Sequence, residues 1–218
     1  MISTAGNTLA VADYFAMWNE VSESNADLDL GGGGAMLLPD LTDITGAVQH
    51  LAFSAGKDGN IYVVSRDSLG KFNSSTNNIW QEVANGGQQV RSTPAYFNGR
   101  IYLSARDVGL EAFTLTSAKL SASPTSKTSN AFAYPGTIPV VSANGLTNGI
   151  VWAANSANPS VLYAYDATNL ATQLYNSSQA ANGRDSFGIA NRYNSPTVVA
   201  GKVFVPTNSG VAVFGLLQ

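Results

Sequence analysis

Ser92-Thr93-Pro94-Ala95-Tyr96-Phe97-Asn98-Gly99-Arg100-Ile101-Tyr102-Leu103 recurs in the chain as Asn194-Ser195-Pro196-Thr197-Val198-Val199-Ala200-Gly201-Lys202-Val203-Phe204-Val205. Pro196 follows Pro94 by 102 residues, and Gly201 follows Gly99 by the same 102. In both copies a cation follows the glycine and an aromatic falls in register within an alternating strand pattern. An intermediate copy lies near the midpoint: Thr137-Ile138-Pro139-Val140-Val141, a longer turn, then Gly149-Ile150-Val151-Trp152. A more divergent first copy runs Gly34-Ala35-Met36-Leu37-Leu38-Pro39 and resumes at His50-Leu51-Ala52-Phe53-Ser54. Self-similarity at a fixed period marks repeat architectures and is settled before any local assignment.

Each copy is followed by a third strand pattern, at 60–64, 109–113, 161–165 and 210–214. A fourth is expected at 79–83, 118–120 and 172–175, and the last copy reaches Gln218 without one. Three or four strands of about five residues, joined by Asn-Gly, Asp-Gly and Gly-rich turns, are a run of antiparallel hairpins. A unit of ~45 to 55 residues with four such strands has the dimensions of a propeller blade. A sandwich of equal length also has short strands, but nothing in it requires one Pro…Gly-cation-aromatic signature three times. The expected fold is therefore an all-β propeller of about four blades of four-stranded antiparallel sheet, with boundaries near 31–90, 91–133, 134–190 and 191–218. Residues 8–16 are expected as an extra outer strand, either of a preceding blade or of the incomplete last one, with a helix over 9–20 as the competing reading. Gly31 to Gly34 are expected as a flexible lead-in turn, and 116–129, rich in Ser, Thr and Lys, as an exposed excursion.

Composition narrows the function classes. Of 218 residues, 11% are charged and 44% apolar, which suits short strands and tight loops and not a disordered chain. The net charge is −3 and the 11 Lys and Arg form no run, so neither a nucleic-acid surface nor a polybasic membrane anchor is expected. With no cysteine there is no disulfide framework and no thiolate metal site. No segment reaches the roughly 18 consecutive apolar residues of a membrane span. Residues 1–18 lack Lys, Arg and the apolar core of a signal peptide. The abundance of Ser, Thr and Asn leans toward a periplasmic or secreted bacterial setting.

At this point the residues resemble a known group. Tyr163-Ala164-Tyr165-Asp166-Ala167-Thr168-Asn169 resembles the Ala-x-Asp-x-x-Thr-Gly core of the blade repeat in pyrroloquinoline-quinone-type (quinoprotein-type) propellers, with Asn169 in place of the glycine and Tyr175 near the expected tryptophan. Ala55-Gly56-Lys57-Asp58-Gly59-Asn60-Ile61-Tyr62, Arg66-Asp67-Ser68-Leu69-Gly70 and Asn98-Gly99-Arg100-Ile101-Tyr102 are similar to other parts of that repeat. The resemblance implies a ring of about seven or eight blades, of which this chain supplies about half. Two arrangements then stand open: the carboxy-terminal part of a longer propeller, or a head-to-tail pair of chains. A four-blade ring is disfavoured because blades of this family are shaped for a wider circle. The enzymes of the family hold their cofactor beneath a ring formed by adjacent cysteines and use a calcium site of Glu, Asn and Asp with a catalytic Asp. This chain has no cysteine, and no such set transfers onto it residue by residue. The resemblance thus implies the scaffold and argues against the cofactor.

The remaining candidates reduce to structural explanations. His50 is the single histidine, and one imidazole is not a catalytic constellation. Asp58-Gly59-Asn60 lacks the alternating acids of a calcium loop and matches a hairpin turn. Asp27 and Asp29, with Asp40 and Asp43 nearby, are the densest acidic stretch; alternation in Asp27-Leu28-Asp29-Leu30 puts two carboxylates on one face of a strand, a charged edge in preference to a cation site. Gly31 to Gly34 are followed by neither a Lys-Ser/Thr pair nor a helix pattern, which excludes a phosphate loop. Tyr62, Tyr102, Trp152, Tyr163 and Phe204 recur in strand register and are expected as packing. Asn73-Ser74-Ser75 and Asn176-Ser177-Ser178 match a glycosylation acceptor that arises often by chance in such a composition. No catalytic, cofactor or metal residue is therefore assigned. The expected function is a non-catalytic binding module or scaffold, with the carboxy-terminal half of a quinone-dependent oxidoreductase as the alternative.

Overall fold

The computed structural model describes residues 1–86 and 88–216; Gly87, Leu217 and Gln218 lie outside the described residues. Strand accounts for 45% of the chain and helix for 7%, an all-β protein. The order is β1 (Ile2–Ser3), β2 (Ala10–Val11), α1 (Glu20–Asn25), β3 (Met36–Leu37), β4 (Leu41–Thr42), β5 (Val48–Gln49), β6 (Leu51–Ala55), β7 (Asn60–Ser65) and β8 (Gln81–Ala84). There follow β9 (Ala95–Phe97), β10 (Arg100–Ser104), β11 (Val108–Thr116), β12 (Lys119–Leu120), β13 (Ser126–Phe132), β14 (Val140–Asn144), β15 (Thr147–Ala154), β16 (Leu162–Asp166) and β17 (Asn169–Asn176), then β18 (Thr197–Val199), β19 (Lys202–Thr207) and β20 (Gly210–Phe214).

These strands form four successive antiparallel meanders: β3-β6-β7-β8, β9-β10-β11-β12, β14-β15-β16-β17 and the three-stranded β18-β19-β20. Pro94, Pro139 and Pro196 each immediately precede the first strand of their sheet. Their following residues stand opposite equivalent aromatics: Ala95 against Tyr102, Val140 against Trp152 and Thr197 against Phe204. Proline there removes no ladder hydrogen bond. Turns Asn98-Gly99 and Ala200-Gly201 have both φ angles positive (44° and 74°, 49° and 71°), the geometry that joins twisted strands through two residues. In the divergent first copy Pro39 follows β3 instead of leading into it, and the excursion after it is the small hairpin β4–β5.

The period-two alternation decides which sheet touches which. Ile101 and Leu103 of β10 pack with Phe53, Ile61 and Val63 of the first sheet. Tyr102, between them, points the other way and packs with Val151, Ala153 and Tyr165 of the third. Ala154 and Leu162 in turn meet Val203 and Val205 of the fourth. The sheets are thus stacked face to face in chain order, the second and third each sandwiched by their sequence neighbours. Among the described residues no strand of the first sheet pairs with one of the fourth.

Three expectations need correction. Residues 8–16 are not one strand on the last sheet. Ala10–Val11 form a hairpin with Ile2–Ser3, and Phe15 bridges Lys71 beside the first sheet, its ring 5.7 Å from that of Tyr62. The short helix comes later, at α1. Residues 126–132 are not an excursion. As β13 they pair with β11, completing its edge after β12 ends, because Thr128 is buried and its hydroxyl accepts the Leu110 N–H at 3.0 Å. The glycines at 31–34 are not a loose hinge: a Cβ on Gly33 would stand 2.1 Å from the Ala55 carbonyl oxygen, and one on Gly34 2.5 Å from Thr93 Oγ1. Glycine is there because strand β6 and the 90–93 segment that leads into the second sheet close onto the backbone.

Candidate functional site

The loops joining one sheet to the next, and those joining second to third strands, emerge at the same end of the sheets. They are tied down by a device that the repeat carries but the sequence reading passed over. Two residues before each proline stands a buried polar residue: Ser92, Thr137 and Asn194. Ser92 Oγ donates to the Ser104 carbonyl (2.7 Å) and Thr137 Oγ1 to the Ala154 carbonyl (2.9 Å), each at the end of its sheet's second strand. A hydroxyl at that position therefore staples the incoming loop to the sheet it enters. The signal was available in Ser92-Thr93-Pro94 and Thr137-Ile138-Pro139.

On this end Tyr134 sits in a turn closed by Gly136 N–H to the Ala133 carbonyl, 2.9 Å. Three arginines from separate loops surround its ring: the guanidinium carbons of Arg91, Arg106 and Arg192 lie 5.4, 5.7 and 5.2 Å from the ring centre. Arg91 and Arg106 are brought together by the bridge between Val90 and Ala105 and by Arg106 N–H donating to the Gln89 carbonyl at 3.0 Å. Arg192 arrives on the loop before β18 with Tyr193, whose hydroxyl is 3.1 Å from that of Tyr134. The Tyr193 hydrogen bond, and then the arginine charges, hold the Tyr134 phenol below its ordinary pKa. No sequence signal gathers these residues, since 101 positions separate Arg91 from Arg192.

A second feature lies between the third and fourth sheets, a cleft of about 1240 Å³ lined by Val141, Trp152, Phe187, Val198 and Phe214. At its rim Asp185 accepts from Tyr175 (2.6 Å) and from two nitrogens of Arg184 (2.6 and 2.9 Å). The Arg184 bonds first, then Tyr175, depress the Asp185 carboxyl to about 2. A carboxylate with a depressed folded pKa stabilises above its ordinary value near 3.8 and loses that contribution as pH falls through about 2. Thermal stability is expected to drop over that acid window, and Asp185→Asn is expected to flatten the drop while lowering the melting temperature at pH 7, measured by calorimetry.

His50 Nδ1 contacts Asp67 at 2.9 Å and its Nε2 is 3.9 Å from Asp40, which Arg66 also approaches at 3.5 Å, so the imidazole belongs to a partly exposed charge cluster. Asp27 and Asp29 do not lie on a strand. Asp27 has φ +55°, and both carboxylates converge on Lys57 Nζ at 2.5 and 2.6 Å. Asp43 holds the β4–β5 turn through Thr45, Ala47 and Gln49. Asp58 is the turn residue between β6 and β7, accepting from Asn60 N–H and the Tyr62 hydroxyl. Tyr62 and Tyr102 are buried, Trp152 donates to Ser142 Oγ at 2.9 Å, and Tyr163 stacks on Tyr165. Asn73 is exposed, and Asn176 accepts from Ser178 within its own turn. Among the described residues no three His, Asp or Glu side chains come together to hold a metal, and no helix is long and apolar enough to cross a membrane.

No protein-family profile and no curated protein matches the chain. Among solved structures it is similar to the computationally designed Ika8 protein, with 11% identity and a TM-score of 0.50 over 76% of this chain and 43% of that one. It is also similar to the computationally designed Ika4 protein (12%, TM-score 0.47, 76% of this chain and 85% of that one). A third similar structure is BamB from Moraxella catarrhalis, a β-propeller (13%, TM-score 0.49, 84% of this chain). The chain spans 43% of the length of Ika8 and 49% of that of BamB. At 11% identity the likeness to Ika8 is one of fold alone, and it falls on an all-β chain of stacked, blade-like sheets.

Proposed function

We propose that this chain is a non-catalytic, quinoprotein-like propeller scaffold of four blades, and that two copies join head to tail into a ring of about eight. The observation that carries the reading is the open end of the stack. Val199, Val211 and Val213 on the outer face of the fourth sheet are 55%, 61% and 53% exposed. Beyond β20 no fourth strand pairs with its edge among the described residues. At the opposite end the hairpin β1–β2 presents Ile2, Leu9 and Val11, which are 62%, 80% and 68% exposed. An apolar face with a free strand edge at one end and an apolar β-ribbon at the other suit one another across two copies, by strand addition and face-to-face burial. Size-exclusion chromatography with light scattering is expected to give twice the chain mass of 22.7 kDa. Val211→Lys with Val213→Lys is expected to yield monomer. A wild-type monomer that persists at high protein concentration overturns the head-to-tail ring.

A further inference from the structure

Three of the chain's 11 Lys and Arg meet at one tyrosine, although the protein as a whole is acidic. We propose that Arg91, Arg106 and Arg192 form, around Tyr134, a binding site for a tetrahedral oxyanion, the phosphate or sulfate group of a ligand.

One arginine over a tyrosine ring is an ordinary surface contact. Three are not explained by the ring. Each guanidinium carbon is within 5.7 Å of the ring centre, so any two are within roughly 11 Å of each other, about one Debye length at 0.1 M salt. Salt screens most of the mutual repulsion at that range, so the three cations stand together without an anion and leave a local positive field on an acidic protein. Charge balance inside the chain is incomplete. Arg106 has Asp107 at 2.8 Å. Among the described residues Arg91 pairs with the neutral Gln89 side chain at 2.9 Å, and its buried Nε meets no partner. Arg192 takes part in no ion pair among the described residues. Asp27, the acid nearest Arg91 in effect, is already committed to Lys57.

The geometry selects the shape of the anion. A guanidinium fork satisfies two oxygens at once, so a single carboxylate is used up by one arginine. An anion that engages two or more of these forks beside the ring needs more terminal oxygens than a carboxylate has, as phosphate and sulfate do. The paired hydroxyls of Tyr134 and Tyr193 add a neutral donor at the same place. The loops are held by side chain–backbone bonds and not by the arginines themselves. Ser92 and Thr137 staple two of them, and Asn194 Nδ2 donates to the Asn191 carbonyl at 2.7 Å in the third. The backbone of these loops is therefore set without an anion, while the Arg106 and Arg192 side chains are exposed and free to meet one.

Titration calorimetry of the intact chain with inorganic phosphate, inorganic sulfate and acetate at low ionic strength tests this. Phosphate or sulfate is expected to bind one per chain with a dissociation constant of about 1 mM or tighter, and acetate at least about tenfold more weakly. The tighter of the two tetrahedral anions identifies the kind of ester the site takes. Arg192→Gln and Arg91→Gln are each expected to weaken binding about tenfold or more, with circular dichroism unchanged. Lys202→Gln, on the fourth sheet away from these loops, is expected to leave it as it was. No saturable binding, acetate equal to phosphate and sulfate, or an equal loss in Lys202→Gln and Arg192→Gln overturns the proposal.

Discussion

Tyr102→Ala is expected to lower the unfolding free energy by about 3–5 kcal/mol, among the largest losses for a single side chain here. Tyr102 is fully buried in the face between the second and third sheets, where Val151, Ala153 and Tyr165 close around it. Its hydroxyl donates to the Ala167 carbonyl at 2.6 Å, and burial pushes its pKa up to about 12. Truncation removes the packing of a whole ring and leaves that carbonyl without this donor. Tyr102→Phe separates the two contributions: it keeps the ring and is expected to cost only about 1–2 kcal/mol. Urea unfolding of the three proteins measures both values. A loss below about 1 kcal/mol for Tyr102→Ala would mean that the two sheets do not pack through this residue.

Gly33→Ala is expected to be about as damaging, at about 3 kcal/mol or more, although it adds a single methyl group. That methyl would stand 2.1 Å from the carbonyl oxygen of Ala55 and 3.3 Å from Val90 Cγ1. The first obstacle is strand backbone, in register with Ile61, and cannot step aside as a side chain would. Gly31→Ala is the internal control. A Cβ there meets nothing within 4 Å, and its effect is expected to stay within about 0.5 kcal/mol. Equal effects at the two positions, read from thermal melts, would contradict the close approach of β6 to Gly33.

How much of this was legible in the sequence depended on whether a residue's role was periodic. Pro94, Pro139 and Pro196 mark strand starts because the same backbone need recurs in each unit, and Gly210–Phe214 was readable as a strand from its place after the repeat copy. Ser126–Phe132 was not, because an outer strand with one wet face carries Ser, Lys and Asn where an inner one carries Val and Ile. Asp27-Leu28-Asp29-Leu30 alternates like a strand and is a turn, because Lys57, 30 positions away from Asp27, pulls both carboxylates together. The cluster at Tyr134 was illegible for a similar reason. Its arginines are solitary in sequence and meet only because loops from successive sheets emerge at one end.

The serial stacking of the sheets has a consequence for how the protein comes apart. Each sheet borrows most of its buried surface from the sheets before and after it, as in a linear array whose stability is a sum over adjacent pairs. The second and third sheets have two such neighbours. The fourth has one, through the small cluster of Ala154, Leu162, Ala190, Val203 and Val205. In the single chain, as in a Val211→Lys, Val213→Lys monomer, opening is thus graded along the stack, with the carboxy-terminal unit peeling away at a lower free energy than the middle and amide exchange fastest where the array ends.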